Sequence, residues 1–270
     1  MAWNKKNSVQ SYFKKILIIL FWIFMWQMLY MAVDEPLLLA SPEDTFLCLC
    51  ELLGESGTYL VVLRTMGKIL AGFAASLGLA VFAAFAAWKA SLIRELLAPF
   101  LSFMKAVPIA SVIILLLAWF SSSGISFFVS GFVAFPIIYF ELLSALEHID
   151  GKLLELLAVY HVPEIRGFRY VYLPALCDGL MQTAHVAVGM CVRAGIAAEL
   201  IGVPLHSLGE KLYKSKLYLE IDDLFAWTVI IVAAGFLFER IFVRCIMLIT
   251  GMLSDADGRE NSNGNKEENA

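Results

Sequence analysis

Residues 155–174 read ELLAVYHVPEIRGFRYVYLP. This is a polar interruption between two strongly apolar blocks, so it is expected to form a loop at a membrane surface. Its length suits two short helices with a break at His161–Pro163. Pro163 fits the first turn of the second helix, where a missing N–H costs nothing, and Glu164 suits the positive end of that helix. Ile165, Phe168 and Tyr172 then recur at helical spacing on one face, leaving Glu164, Arg166 and Arg169 for water or a partner. Composition alone equally allows a solvated loop that merely joins two spans.

Working outward, the apolar blocks dominate the chain. Of its 270 residues 60% are hydrophobic and 16% charged, with a mean hydropathy of +0.79. A soluble domain of this length cannot bury so much apolar surface, which predicts an all-α polytopic membrane protein. The net charge of −4 says little about partners, because the acidic tail from Asp255 to Glu268 supplies much of it. Basic residues are sparse and form no stripe of the kind that binds nucleic acid. The five cysteines, Cys48, Cys50, Cys177, Cys191 and Cys245, show no CxxC or Cys/His ligand spacing. Three lie in or near apolar runs as small core residues, and no disulfide framework is expected.

Six spans are predicted. Residues 1–15 are polar and carry Lys5, Lys6, Lys14 and Lys15, a cytoplasmic segment ahead of a first span at 16–33. The run is too long for a signal peptide and lacks a convincing cleavage site. Residues 34–57 contain acids but no Lys or Arg. Within them Ser41-Pro42-Glu43-Asp44 reads as a capped helix start, opening a short amphipathic helix on the outer surface. The second span covers roughly 59–88, where Gly72, Ser76, Ala80 and Ala84 repeat every fourth position. That spacing allows close helix approach, although small residues are also simply common in membrane helices. Residues 96–143 are apolar for longer than one crossing of about 20 residues needs. They are therefore expected to form a hairpin broken at Ser121–Gly124, with Pro99, Pro108 and Pro136 as kinks.

The loop at 152–174 follows, then a fifth span at about 171–203 containing Asp178, His185, Arg193 and Glu199. Asp178 reads as a hydrated end residue, His185 as a hydrogen-bonding partner for a neighbouring helix, and Glu199 as near enough to the outer end to snorkel. Arg193 and Glu199 are six apart and should not pair within one helix. A polar external segment at 204–223 and a last span at about 224–249 lead to a tail at 252–270 of disordered composition. Basic residues flanking the spans favour the N-terminus, the 89–94 turn, the 152–169 loop and the end of the sixth span. All four lie on one side if both termini are cytoplasmic. No GxxxxGK[ST], HExxH or GxSxG motif and no Cys/His cluster is present, so neither an enzyme, a metal site nor a bound cofactor is expected.

The 155–174 loop resembles the cytoplasmic EAA loop of ABC-importer permeases, a pattern of Glu-Ala-Ala, three residues, Gly and, later, Leu-Pro. Glu155 takes the Glu position, and Leu173-Pro174 closes the motif nineteen positions on. Leu156 and Leu157 stand in for the alanines and His161 for the glycine. Histidine enters the left-handed region more readily than most side chains, so the turn is expected to survive with some strain. Lys105-Ala106-Val107-Pro108 is similar to the Ala-Leu-Pro-Pro-type segment of the same family. Arg64-Thr65 with Gly72-Phe73, Phe135-Pro136 and Ala197-Ala198-Glu199-Leu200 resemble its nitrate/sulfonate/taurine branch, in family order. The likeness extends from about Thr58 to Met247.

The resemblance implies a type I importer permease in the plasma membrane with its transmembrane core at 58–251. It also implies a homodimer, two copies of a separate cytoplasmic ATPase, an external substrate-binding protein, and alternating access driven by ATP. On this reading Glu155, His161, Pro163, Ile165, Phe168 and Pro174 serve ATPase coupling, and Arg193, Glu199, Lys105 and Pro108 belong to the translocation pathway. The solute would be a small anion such as a sulfonate, nitrate or taurine, with a vitamin-precursor solute as the alternative. A different class of reading is a secondary transporter using Asp178, Arg193 and Glu199 as an ion relay.

Overall fold

Apolar runs in lipid can satisfy their backbone groups only internally, so they fold as helices, and every regular element among the described residues is helical. The computed structural model describes the backbone of residues 3–35 and 37–267, with side chains for 14–35, 37–163 and 165–248. In chain order the helices are α1 (Trp3–Val33), α2 (Pro42–Gly54), α3 (Ser56–Lys89), α4 (Ser91–Ala106), α5 (Ile109–Trp119) and α6 (Ile125–Glu147). They continue with α7 (Gly151–Val159), α8 (Glu164–Gly167), α9 (Leu173–Gly202), α10 (Leu208–Tyr218) and α11 (Ile221–Glu267). A 3₁₀ turn at Ser122–Gly124 precedes α6, and a π turn at Phe168–Tyr172 joins α8 to α9.

The centre is a packed trio of α3, α6 and α9. Gly72, Ser76, Ala80 and Ala84 are all buried along α3. A Cβ on Gly72 would lie 2.2 Å from the carbonyl oxygen of Phe127 and 2.4 Å from Ser130 Oγ. Gly131 opposes it, and a Cβ added there would lie 3.1 Å from the Gly72 carbonyl oxygen. Of the two readings of this four-residue repeat, close helix approach is therefore the one realised, and it is used inside the chain. Around the crossing lie Ile69, Phe73, Ile138, Tyr139, Leu142, Val188 and Cys191, all almost fully buried. The lateral surface is apolar instead, with Leu63, Phe82 and Trp119 each more than two-thirds exposed, as lipid contact requires.

Segments 14–33, 56–89, 122–147 and 165–202 are long and apolar enough to cross a membrane. The expected hairpin needs correction in its first arm. Its break at Ser121–Gly124 is present, but the chain also breaks at Val107–Pro108, where α4 and α5 meet at 103°. At 1.5 Å per residue these helices are roughly 24 Å and 17 Å long, each short of a hydrocarbon core of about 30 Å. Only together are they long and apolar enough for a fifth crossing. Pro99 and Pro136, by contrast, lie inside continuous helices. Pro108 differs because Val107 before it is extended (ψ 132°), the conformation that a following proline favours. Six spans are compatible with this fold, the sixth falling in α11.

α1 lies at the edge, its membrane-spanning stretch unburied, and touches the rest through Trp26. The Trp26 indole N–H donates to the Ala40 carbonyl (3.0 Å) and its ring stacks on Phe225 at 5.5 Å. α2 starts as its sequence predicts: Ser41 Oγ accepts the Asp44 N–H at 2.9 Å, with Pro42 in the first turn. It packs on α11, where the Cys48 thiol donates to Asp223 (2.8 Å). The backbone of α11 is helical through Glu267, so the tail expected at 252–270 continues this helix for most of its length; the side chains there lie outside the described residues, as do those of Lys5 and Lys6.

Candidate functional site

Most of the candidate residues fall in three places: the loop at one end of α9, the exposed arc of α9, and the buried far end of α9.

At the first place the two short helices fall where the sequence puts them. α7 ends in a complete Schellman motif. The Val162 N–H donates to the Leu157 carbonyl (3.0 Å) and the His161 N–H to that of Ala158 (3.2 Å). His161 holds the left-handed position, at φ 48°, in place of the usual glycine. Pro163 directly precedes α8, and its carbonyl accepts from Arg166 (2.9 Å) and Gly167 (3.0 Å). Pro174 accounts for the π turn. It has no N–H to give the carbonyl four residues back and its ring would clash there, and a wider turn relieves both. The Leu173 N–H accordingly reaches back five residues to Phe168.

That turn changes which residues share a face. Ile165 points outward and is 83% exposed. Phe168 and Tyr172 turn inward onto α3, their rings 6.2 and 5.8 Å from Phe85, with Trp88 5.3 Å from Tyr172. The single face expected for Ile165, Phe168 and Tyr172 is therefore split. Glu155 is exposed on α7, beside exposed Leu156, Val159 and Tyr160.

On α9, Asp178, Gln182, Val186, Met190 and Arg193 line one exposed arc. The Arg193 Nε donates to the Gly189 carbonyl (3.0 Å), and among the described residues its guanidinium forms no ion pair. His185 hydrogen-bonds a neighbouring helix as expected, its Nδ1 meeting Glu239 of α11. Lys105 sits over the Phe140 ring at 4.7 Å, and Pro108 caps α5 at the break. No hydrogen bond or ion pair among the described residues joins Asp178, Arg193 and Glu199 into a relay.

Glu199 does not snorkel: it is 0% exposed. Its Oε2 accepts from Thr65 Oγ1 (2.8 Å) and, more distantly, from the Gly209 N–H (3.4 Å), and its Oε1 accepts from Ser126 Oγ (3.0 Å). Thr65 Oγ1 in turn accepts the Leu208 N–H at 3.1 Å, and Ser207 Oγ accepts that of Glu210 at 3.0 Å. The first three N–H groups of α10 are thus all satisfied, and Glu199 is the anion at that helix's positive end. Burial without a cation is tolerated because three neighbouring elements, α3, α6 and α10, supply donors. Thr65, Ser126 and Gly209 were missed as a cluster. The one legible signal was Ser207-Leu208-Gly209-Glu210, a capping pattern at the start of α10. Burial works to raise the Glu210 pKa, but hydrogen bonds from Lys214 (2.7 Å) and the His206 N–H outweigh it and hold the carboxyl below its ordinary value. The stability it contributes is present above that ordinary value and is lost as pH falls through the lowered one.

A helical bundle with a broken apolar helix pair, intramembrane ionisable groups and an exposed loop has the make-up of a polytopic membrane protein that moves a solute. Residues 76–249, more than half of the chain, match the family described as binding-protein-dependent transport system inner membrane component, and the chain belongs to that family. The match begins later than the likeness read from the sequence, which started at about Thr58. No curated protein matches the chain. Membership makes it the multi-pass inner-membrane component of a binding-protein-dependent ABC transporter, a transporter part and not an enzyme. The family implies partners such as an ATPase and a substrate-binding protein.

Proposed function

We propose that this chain is the permease subunit of a type I ATP-driven importer. Two copies work with two copies of an ATPase, and alternating access carries a small anion inward. The observation that supports coupling is the 151–167 loop. Its two short helices are joined by a fixed turn, and it exposes Tyr160 (75%) and Ile165 (83%), apolar side chains that a partner would cover. Arg193 supports an anionic solute of the sulfonate, nitrate or taurine kind. A guanidinium in a span costs at least about 2.5–3.5 kcal/mol if it meets lipid, so an exposed one calls for water or a second protomer. Its planar donor fork suits oxyanions. Lys105 and Pro108, at the break between α4 and α5, are assigned to the same route.

Uptake assays on the reconstituted complex test the proposal. Arg193→Gln should cut transport at least tenfold while assembly and basal ATP hydrolysis persist, and Arg193→Lys should keep part of the activity. Normal transport by Arg193→Gln would remove Arg193 from the route. The same machinery would serve a vitamin-precursor solute, and the ligand that co-purifies with the binding protein decides between the two. ATP hydrolysis should require the separate ATPase.

Both termini are assigned to the cytoplasm. Cysteines placed near Ser122 and Lys214 should react with an impermeant maleimide from outside, and one near Glu164 only from inside. External labelling near Glu164 would invert this topology.

A further inference from the structure

Glu199 lies at the end of α9 remote from the 151–167 loop. α9 has 30 residues, so the two ends are roughly 45 Å apart. The carboxylate is contacted by side chains of α3 (Thr65) and α6 (Ser126) and by the backbone of α10 (Gly209). Four helices therefore meet at one buried group.

Two further observations show how closely α10 is held there. A Cβ on Gly209 would fall 2.3 Å from the Glu199 carbonyl carbon and 2.4 Å from its Cβ, so this helix start fits against α9 only because residue 209 is glycine. The connection from α9 to α10 is also strained. Val203 and His206 are both left-handed, at φ 42° and 58°, and for a β-branched valine that is a costly conformation. Such strain persists where surrounding contacts over-determine the backbone. Here the Val203 N–H donates to the Glu199 carbonyl (2.7 Å), and Ser207 Oγ donates to the Pro204 carbonyl (2.7 Å).

We infer that Glu199 is a positioning residue whose carboxylate locks α10 onto the ends of α3, α6 and α9, so that α10 and the Arg193-bearing α9 move as one body. The carboxylate suits the task because it only accepts. Both hydroxyls and the α10 N–H can donate to it at once, while Thr65 stays free to accept from Leu208. In the importer reading, on which this part rests, the lock carries the effect of a docked, loaded binding protein from α10 to the transport helix.

The experiment uses the full chain in nanodiscs, with its ATPase and binding protein, and has two arms. Hydrogen exchange reads the lock itself. Amides 208–210 should be protected in the native protein and exchange at least tenfold faster in Thr65→Val and Glu199→Gln, while Thr65→Ser restores protection. Should Thr65→Val fail to assemble, Ser126→Ala, which removes one donor and creates little void, decides instead. Unchanged exchange in assembled variants would overturn the lock.

ATP hydrolysis reads its consequence. Thr65→Val and Ser126→Ala should keep unstimulated hydrolysis but lose at least tenfold of the stimulation by loaded binding protein, with Thr65→Ser again restoring it. Loosened amides with full stimulation would overturn the transmission role. If even the native chain assembles with no ATPase, the importer reading fails, and the exchange arm still decides the lock.

Discussion

Gly72→Leu should yield no stably folded protein. A Cβ at this position would meet the Phe127 carbonyl oxygen at 2.2 Å, and that oxygen belongs to the backbone of α6. A flexible side chain could swing aside, but a helix backbone moves only by separating α3 from α6. Inserting methylenes into a packed core typically costs about 1–3 kcal/mol, and a displaced helix costs more. The separation would also open the seam lined by Ile69 and Phe73. Gly78 on the same helix provides the control, since nothing lies within 4 Å of a Cβ there. Gly78→Ala should be neutral or stabilising by up to about 1 kcal/mol, through helix propensity alone. Thermal unfolding and size-exclusion profiles in detergent would compare the two. A Gly72→Leu protein melting within a few degrees of the native chain would show that α3 and α6 do not meet as described.

Glu155→Lys should have the largest functional effect while leaving the fold intact. Glu155 is exposed on α7, and among the described residues it makes no ion pair whose loss would destabilise the chain. Its assigned role is a contact with the ATPase. Reversing the charge there would remove a charge-assisted hydrogen bond and set an unmatched ammonium in the interface, about 3 kcal/mol in all. That corresponds to at least a hundredfold loss of ATPase affinity. The permease should purify normally, with uptake lost and the ATPase released or hydrolysing without transport. Normal uptake with normal assembly would free Glu155 of any coupling role. His161→Gly is the companion control. It relieves a left-handed non-glycine that costs about 1 kcal/mol, so assembly should be kept.

The features legible in the sequence are those set by local chemistry. The α2 start at Ser41 and Pro42, the two-helix loop and the break at Ser121–Gly124 follow from residue type and near neighbours, and the left-handed His161 from its place at the glycine of the resembled motif. The stripe Gly72–Ala84 was legible as a pattern, but its partner helix was not. The features that escaped depend on more distant geometry. A proline in an apolar run can bend a helix or end it. Pro136 sits within a continuous helix and Pro108 does not, because tertiary packing decides how the freed carbonyls are met. Glu199 could be placed near a helix end by counting residues. Its burial could not, since its donors come from positions 65, 126 and 209, which nothing in the linear order connects.

The π turn at Phe168–Tyr172 has a consequence for how this loop can change over generations. A π turn is what one additional residue produces within an otherwise regular helix. The nineteen-position interval from Glu155 to Pro174 therefore includes a residue spent on turning the chain past the proline. Deleting any one residue between 168 and 172 would force an ordinary turn against the Pro174 ring. It would swing everything before it by about 100° around the α9 axis, carrying Ile165 and Glu155 away from the direction they now face. Substitutions within this stretch leave that direction unchanged. A change in its length does not, so any partner proposed to cover Tyr160 and Ile165 would have to be remade in the same step.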